Sequence, residues 1–364
     1  MAAGITVTDL TKGFASTTVV EGLDLEVGLG EVLVLLGPSG CGKTTTLRCL
    51  AGLETPDGGT IGFGDRTVFD AQGRVNVPIH RRNIGMVFQS YALWPHMTVR
   101  QNIAYPLRVR GTRGRAASDA VEHAAGMVHC EALLDRYPAQ LSGGQQQRIA
   151  LARGLVAEPA VVLLDEPLSN LDATLRDQMR TEIRELHQKL GFTAVLVTHD
   201  QEEALALGDR VAIMKDGRIE QLDTPEALFL EPVSEYVAGF VGMSNRIEWS
   251  RDGAEWVSES GARLGGGALS GVGATESAVS LIRPEDLRIE ARRPEEATGR
   301  LVLDATIVTA EYGGRHLDVT LAARGTRLHA RTAANEDQSW IRALGPGAPV
   351  AVSVPYDRLH SYAG

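Results

Sequence analysis

Only three cysteines occur in 364 residues, Cys41, Cys49 and Cys130, an odd number without metal-ligand spacing. That argues against a disulfide framework or a zinc module and fits a reducing compartment. Long apolar runs are missing too. No stretch approaches the roughly 18 apolar residues that a membrane-spanning helix needs, and the start of the chain shows no basic segment followed by an apolar one. The chain is therefore expected to stay in the cytosol. Dense Lys/Arg tracts are also absent, and a formal net charge of −10 repels phosphate backbones, so nucleic acid is not an expected partner. The acidity reads as ordinary solubility. No long low-complexity tract is present, and with 43% apolar and 23% charged residues the composition is that of a folded globular chain. Its length exceeds what one hydrophobic core usually supports, which points to two domains.

What is present has a clear order. Up to about Pro232, β-rich apolar runs alternate with helical patterns, as in an α/β domain with a mostly parallel sheet. Glu31–Leu36, Ala160–Leu164 and Thr193–Thr198 read as buried strands, each followed at once by small or polar residues, which places the interesting side chains at carboxyl ends of strands. The strand signal fades between about Val99 and Glu158, and a helical subdomain spanning about 95–158 is expected there. Val211–Met214 and Arg218–Leu222 flank Lys215-Asp216-Gly217 as a hairpin, and Thr224-Pro225-Glu226 opens a helix. Past Gly242 short alternating runs separated by glycines take over; His316–Leu321 alternates like a strand with one buried face. The expected division is 1–235 for the first domain, 236–246 for a linker and 247–364 for an all-β second domain resembling a small barrel.

Three motifs carry the chemistry. Gly37-Pro38-Ser39-Gly40-Cys41-Gly42-Lys43-Thr44 follows a strand and opens a helix, the context that gives a phosphate-binding loop its meaning. Glycines at 37, 40 and 42 let backbone N–H groups curl around phosphate oxygens, and the helix beginning near Lys43 aims its positive end at them. Lys43 adds a full charge near the β- and γ-phosphates, and Thr44 offers a hydroxyl to Mg²⁺. Val161–Leu164 ends in Asp165-Glu166. Successive residues leaving a strand point in different directions, so Asp165 suits the metal while Glu166 suits the attacking water. In Leu141-Ser142-Gly143-Gly144-Gln145 a serine and two glycines precede an apolar-periodic helix. This is a second anion-seeking helix end in a chain that already has a phosphate loop. It makes sense if it completes the site of another copy, giving a head-to-tail dimer with ATP at the seam.

With Gln89 in Val87–Ser90, Ser169–Ala173 and Val197–Asp200 added in order, the first domain resembles an ABC transporter ATPase along nearly all of its length. The implied fold class is an α/β P-loop NTPase domain with a helical subdomain, followed by an all-β OB-like (TOBE) domain. The resemblance implies that ATP is bound by residues 37–45, including Thr45. Gln89 then serves Mg²⁺ and the attacking water, His199 the γ-phosphate and Asp172 communication across the dimer. Ser142, Gly143, Gly144, Gln145 and Arg136 would contact the partner's ATP. Phe14 stands where the family stacks an aromatic on adenine, usually a Tyr; a plain core role is the other reading.

Tyr91–Thr98 is too apolar for a solvated loop, so it either packs internally or binds. In ABC importers the matching stretch receives a membrane subunit. Leu281–Leu287 resembles the TOBE domain of importer ATPases. These likenesses imply an import ATPase, peripheral on the cytoplasmic side of the inner membrane, with permease subunits and, indirectly, an extracytoplasmic solute-binding protein. Ferric iron, polyamine or phosphonate is the expected substrate, with sugar import as the alternative. A non-transport ABC ATPase is disfavoured because the stretch from Gln89 to Ser142 has no room for a coiled coil or zinc module. A soluble P-loop kinase would lack Leu141–Gln145.

Overall fold

The computed structural model describes all residues except Met1, Ser270, Gly271, Ala274, 295–297, Glu336 and Asp337. The chain divides into two compact units, Met1–Leu230 and Glu231–Gly364.

The first unit is built on a six-stranded sheet of order β11-β10-β3-β9-β8-β7. Its strands are β3 (Val32–Leu36), β7 (Ile84–Val87), β8 (Val161–Asp165), β9 (Thr193–Thr198), β10 (Arg210–Lys215) and β11 (Arg218–Asp223). The β10/β3, β3/β9, β9/β8 and β8/β7 pairs run parallel, and β11 closes one edge antiparallel. Every residue of β3, β8 and β9 is buried, as expected where both faces of a sheet are covered and the strand sequence becomes one apolar run. The register aligns Leu36 with Thr198, Asp165 with Val197, and Val87 with Leu164. The ends of four strands therefore lie level, and whatever follows them shares one edge. Between β10 and β11 the turn places Asp216 at φ 47° and Gly217 at φ 80°, the doubly positive pattern that matches strand twist in tight hairpins.

A second sheet was not legible in the sequence. β1 (Ile5–Phe14), β2 (Thr17–Val27), β4 (Gly58–Phe63), β5 (Arg66–Asp70) and β6 (Val75–Asn76) form an antiparallel sheet of order β2-β1-β4-β5-β6. Its Ile5, Leu10, Leu23 and Ile61 share one core with Leu33 and Leu35 of β3, Leu163 of β8, Val195 of β9, and Leu47 and Leu50 of α1 (Lys43–Ala51). The helical part contains α2 (Val99–Val109), α3 (Gly114–Met127) and α4 (Gly143–Leu155). Val99, Ile103, Leu107, Val121, Ala125, Ile149 and Ala152 meet in a separate core, spaced three and four apart as helical faces require. Three more helices complete the unit: α5 (Ala173–Leu190), α6 (Gln201–Leu207) and α7 (Pro225–Leu230).

In the second unit, α8 (Glu235–Phe240) occupies much of the stretch 236–246 that reads as a linker in the sequence. Ser234 caps it, accepting a hydrogen bond from Val237 N at 3.3 Å, and Ala238 packs with Met243 and Leu281. One capped turn with two buried residues is too short for periodicity to reveal. The rest is β-rich. β12 (Asn245–Asp252), β13 (Glu255–Ser258), β14 (Arg263–Gly265), β15 (Ser277–Ile282) and β21 (His360–Ala363) make one antiparallel sheet. β16 (Arg288–Glu290), β17 (Arg300–Tyr312), β18 (His316–Ala323), β19 (Thr326–Ala333) and β20 (Pro349–Pro355) make the other. Both contribute to a single core around Trp249, Trp256, Leu303, Leu321 and Val352. The strict alternation of buried residues along β18 is the one anticipated for His316–Leu321.

Candidate functional site

The phosphate loop leaves β3 and enters α1. Gly42, the N-cap, sits at φ 103° with no side-chain cap, so the first N–H groups of α1 keep their donors for a ligand. By contrast Ser142, Asp172 and Asp200 cap α4, α5 and α6 with their own side chains. A Cβ on Gly42 would lie 2.6 Å from Val19 O, and one on Gly37 2.6 Å from Met214 O, so both positions are closed to larger residues by backbone. Gly40, at φ 86°, instead faces open space beside the exposed Pro38 and Ser39. The Lys43 ammonium is buried inside the loop and donates to Gly37 O at 2.7 Å and Pro38 O at 2.8 Å, beside the Cys41 sulfur at 3.8 Å. Thr45, half-buried, follows in the first turn of α1.

Thr44 Oγ1 donates to Asp165 Oδ1 across 3.5 Å, which brings the loop to the end of β8. Burial raises the Asp165 carboxyl above its ordinary range, opposed by the Arg48 charge and reinforced by Glu166. A hydroxyl and a partly desolvated carboxylate side by side are hard oxygen donors that a divalent cation suits, and its charge would offset that desolvation. Among the described residues no cluster of three or more His, Cys, Asp or Glu side chains is arranged to hold a metal. That sparse protein set is the usual one for Mg²⁺ held jointly with phosphates.

Glu166 stands at φ 44°, a conformation side chains rarely adopt, held by its N–H donating to Val197 O at 3.0 Å. Its carboxylate meets two neighbours. Gln89 Nε2 donates to Oε2 at 3.1 Å, and His199 Nδ1 lies 3.4 Å from Oε1. The ends of β7, β8 and β9 thus place Gln89 and His199 around the Glu166 carboxylate.

The remaining candidates lie apart. Ser142 Oγ accepts from Gln145 N at 3.4 Å while Gln145 Oε1 accepts from Ser142 N at 3.0 Å, a reciprocal capping box. Ser142 is exposed, Gly143 half-buried, and Gly144 packs where a Cβ would meet Leu175. Among the described residues no hydrogen bond joins Ser142–Gln145 to residues 37–45 of the same chain. Asp172 is exposed and accepts from Leu175 N at 3.0 Å. Arg136 is exposed; its carbonyl receives Val99 N at 2.8 Å. Phe14 is 44% exposed with the Lys12 ammonium 5.1 Å from its ring centroid, so its ring is not a core side chain.

Several contacts lay beyond what the motifs alone show, two of them made by residues of the Ser169–Ala173 stretch. Asn170 Nδ2 donates to Gln89 O at 2.8 Å and Ser169 Oγ to Glu166 O at 3.1 Å, tying the turn after β8 to the site. Behind His199, the almost fully buried Glu203 accepts from Thr198 Oγ1 at 2.7 Å, and Thr198 Oγ1 accepts from Asp200 N at 3.0 Å. Burial pushes the Glu203 carboxyl up to about 7, against the Thr198 bond. The Asp-x-x-Glu spacing after a strand was the available signal. Arg153 of α4, also buried, donates to Ala92 O at 2.6 Å and Tyr91 O at 2.8 Å, clamping a turn whose two residues sit at φ 48° and 61°. Beyond that turn an apolar groove of about 690 Å³ is lined by Ile79, Met86, Phe88, Trp94, Tyr105 and Val109. Trp94 and Tyr105 are 43% and 39% exposed with ring centroids 5.9 Å apart.

Comparison with known proteins gives two family matches: ABC transporter over residues 20–169 and TOBE domain over residues 280–361. Among curated relatives, the sulfoquinovosyl glycerol transport ATP-binding protein SmoE of Agrobacterium fabrum is 51% identical over 66% of this chain and 65% of its own length. The sn-glycerol-3-phosphate import ATP-binding protein UgpC of a Ruegeria species is 45% identical over 87% and 88% of the two chains. The Fe(3+) ions import ATP-binding protein FbpC of Rhizobium etli is 46% identical over 86% of each.

Proposed function

Since this chain belongs to the ATP-binding proteins of ABC transporters, we propose that it hydrolyses ATP with Glu166 as general base, at a site shared by two copies of itself. It is an import ATPase that works with permease subunits to move a small solute. The reading of the site rests on one observation: Gln89 and His199 converge on the Glu166 carboxylate, beside a loop whose helix end is uncapped.

ATP lies with its phosphates in the cradle of residues 37–45, the N–H groups of α1 and the Lys43 ammonium meeting their charge. Lys43 exchanges its bonds to Gly37 O and Pro38 O for phosphate oxygens, a small rearrangement of a side chain already inside the loop. Thr44 and Asp165, with Gln89 nearby, would hold Mg²⁺, which would supply charge neutralisation for the transferred group. Gln89 and Glu166 orient a water; Glu166 accepts its proton as the water attacks, and His199 steadies the terminal phosphate. Ser142, Gly143, Gly144, Gln145 and Arg136 contact the ATP of the twin, since Ser142 is exposed and makes no bond to its own phosphate loop. Asp172 lies at the seam, and Phe14 stacks on adenine. The Trp94 groove receives a cytoplasmic segment of the permease, so the chain sits at the cytoplasmic face of the membrane; no described helix is long and apolar enough to cross it. A solute-binding protein delivers the cargo from outside. Relatives named for a sugar-derived glycerol glycoside, a glycerol phosphate and ferric ion support a hydrophilic cargo of that range; none of the three is named for polyamine or phosphonate.

Replacing Glu166 by Gln removes the base and keeps the geometry. Steady-state phosphate release should fall by at least about 100-fold while ATP binding persists. Phosphate release within a few-fold of the parent rate would refute the assignment.

A further inference from the structure

Three consecutive glutamines stand in the first turns of α4, and the third lacks the partners that the other two have. Gln145 closes the capping box with Ser142, and Gln146 Nε2 donates to Pro138 O at 3.1 Å and Leu141 O at 3.3 Å. Gln147 has no exposed surface, and both its Oε1 and its Nε2 are buried without a hydrogen-bond partner. Among the described residues no other side chain has two such atoms. Buried polar groups are almost always paired, so an amide unmet at both ends is a cost that packing alone does not explain.

Helical spacing places this amide. Gly143, Gln147, Ala150 and Gly154 fall four, three and four apart and so share one face of α4. At one end of that face a Cβ on Gly143 would lie 3.5 Å from Tyr91 Oη and 3.7 Å from Leu171 Cδ2; at the other, a Cβ on Gly154 would lie 3.3 Å from Val87 Cγ2. Gln147 therefore lies over the stretch from Val87 to Tyr91, which carries Gln89. Long side chains lean toward the N-terminus of their helix, so the amide is directed to the level of Gly143, where the absent side chain leaves room for the Tyr91 hydroxyl. That hydroxyl has no hydrogen bond among the described residues, and burial pushes it above its ordinary range, so it stays a neutral donor. Arg153 holds the Tyr91 carbonyl and leaves the ring's hydroxyl to other partners.

We propose that Gln147 is a positioning residue for hydrolysis: its amide takes the Tyr91 hydroxyl when the Gln89 turn adjusts to bound ATP, and this bond carries the adjustment to the Ser142 end of α4. The inference rests on the shared-site ATPase reading above. A hydroxyl and an amide facing one seam, each unmet, meet in another arrangement of the same elements. A bond made in one arrangement and missing in the other biases the equilibrium between them.

The test measures kcat for phosphate release, the Kd for ATP, and urea unfolding without nucleotide, all on the full-length chain, for Gln147→Met, Tyr91→Phe and the double variant. Methionine keeps the shape and removes the unmet amide, so Gln147→Met should unfold at a urea midpoint about 0.5 M above the parent. Its kcat should nevertheless fall about fivefold with the Kd for ATP unchanged, the loss of one hydrogen bond made only during turnover. Tyr91→Phe should leave the midpoint in place and lower kcat by a similar factor. The double variant should lose no more kcat than either single one, because both remove the same bond, while the midpoint shifts add. If Gln147→Met does not fold, Tyr91→Phe, which deletes only an unbonded hydroxyl, decides alone. Parental kcat in either single variant, kcat losses that multiply in the double variant, or a midpoint of Gln147→Met below the parent overturns the proposal. Midpoint shifts that fail to add overturn it too, since they reveal a bond already present without ATP. Glu166→Gln is measured alongside. Activity in that variant defeats the ATPase reading itself, whereas its inactivity together with parental kcat in Gln147→Met defeats this inference alone.

Discussion

Glu203 carries a cost that the fold retains. Its carboxyl is almost wholly excluded from water, one oxygen takes the Thr198 hydroxyl, and the other, Oε1, is buried without a partner. The unfolded chain releases this proton near the ordinary carboxyl value of 4.5, while the folded chain holds it to about 7. The folded state therefore binds more protons across that window, so stability falls as pH rises through it and is level above, a loss of about 3 kcal/mol. Glu203→Gln removes the titration. Denaturant unfolding should show the variant gaining on the parent by a large part of that figure between about pH 5 and about pH 8. A constant difference across that range would show that Glu203 does not carry the proton. Glu166 holds a left-handed backbone conformation while its carboxylate meets Gln89 and His199.

Helix α4 links two parts of the first unit through its ends. Ser142 opens it, and Arg153 in its last turn grips the carbonyls of Tyr91 and Ala92, just after Gln89 and at the lip of the apolar groove. Arg153→Ala leaves two carbonyls without donors and should cost about 3 kcal/mol in denaturant unfolding. Arg153→Lys, with charge but no fork, should recover less than half of that. A cost below about 0.5 kcal/mol for Arg153→Ala would mean the turn holds itself. The strands β3, β8 and β9 were readable because both of their faces are buried and their sequences are unbroken apolar runs. The phosphate loop was readable because glycine spacing and a following helix are local. The antiparallel sheet β2-β1-β4-β5-β6 was not, since β1 and β4 contain Gly13, Gly58, Gly59 and Gly62 and their pairing is set by register with distant strands. Arg153 and Glu203 stayed hidden because they sit in helices whose spacing says which face is buried, not which carbonyl or hydroxyl a polar side chain will meet there.

Each of the two units has its own buried core, one centred on Leu33, Leu163 and Val195 and the other on Trp249, Leu321 and Val352. The first places the uncapped end of α1 and the Glu166 carboxylate at one sheet edge, while among the described residues the helix end capped by Ser142 makes no hydrogen bond to residues 37–45. The shared site proposed above would require two molecules. The most direct measurement is phosphate release from Lys43→Ala and Ser142→Arg variants, alone and mixed. Each parent has two damaged sites and should be nearly inactive. In a mixed dimer the intact Lys43 of one copy faces the intact Ser142 of the other, so one whole site reappears and activity should return on mixing. Mixed dimers that form, as judged by native mass, yet stay as inactive as both parents would contradict a shared site.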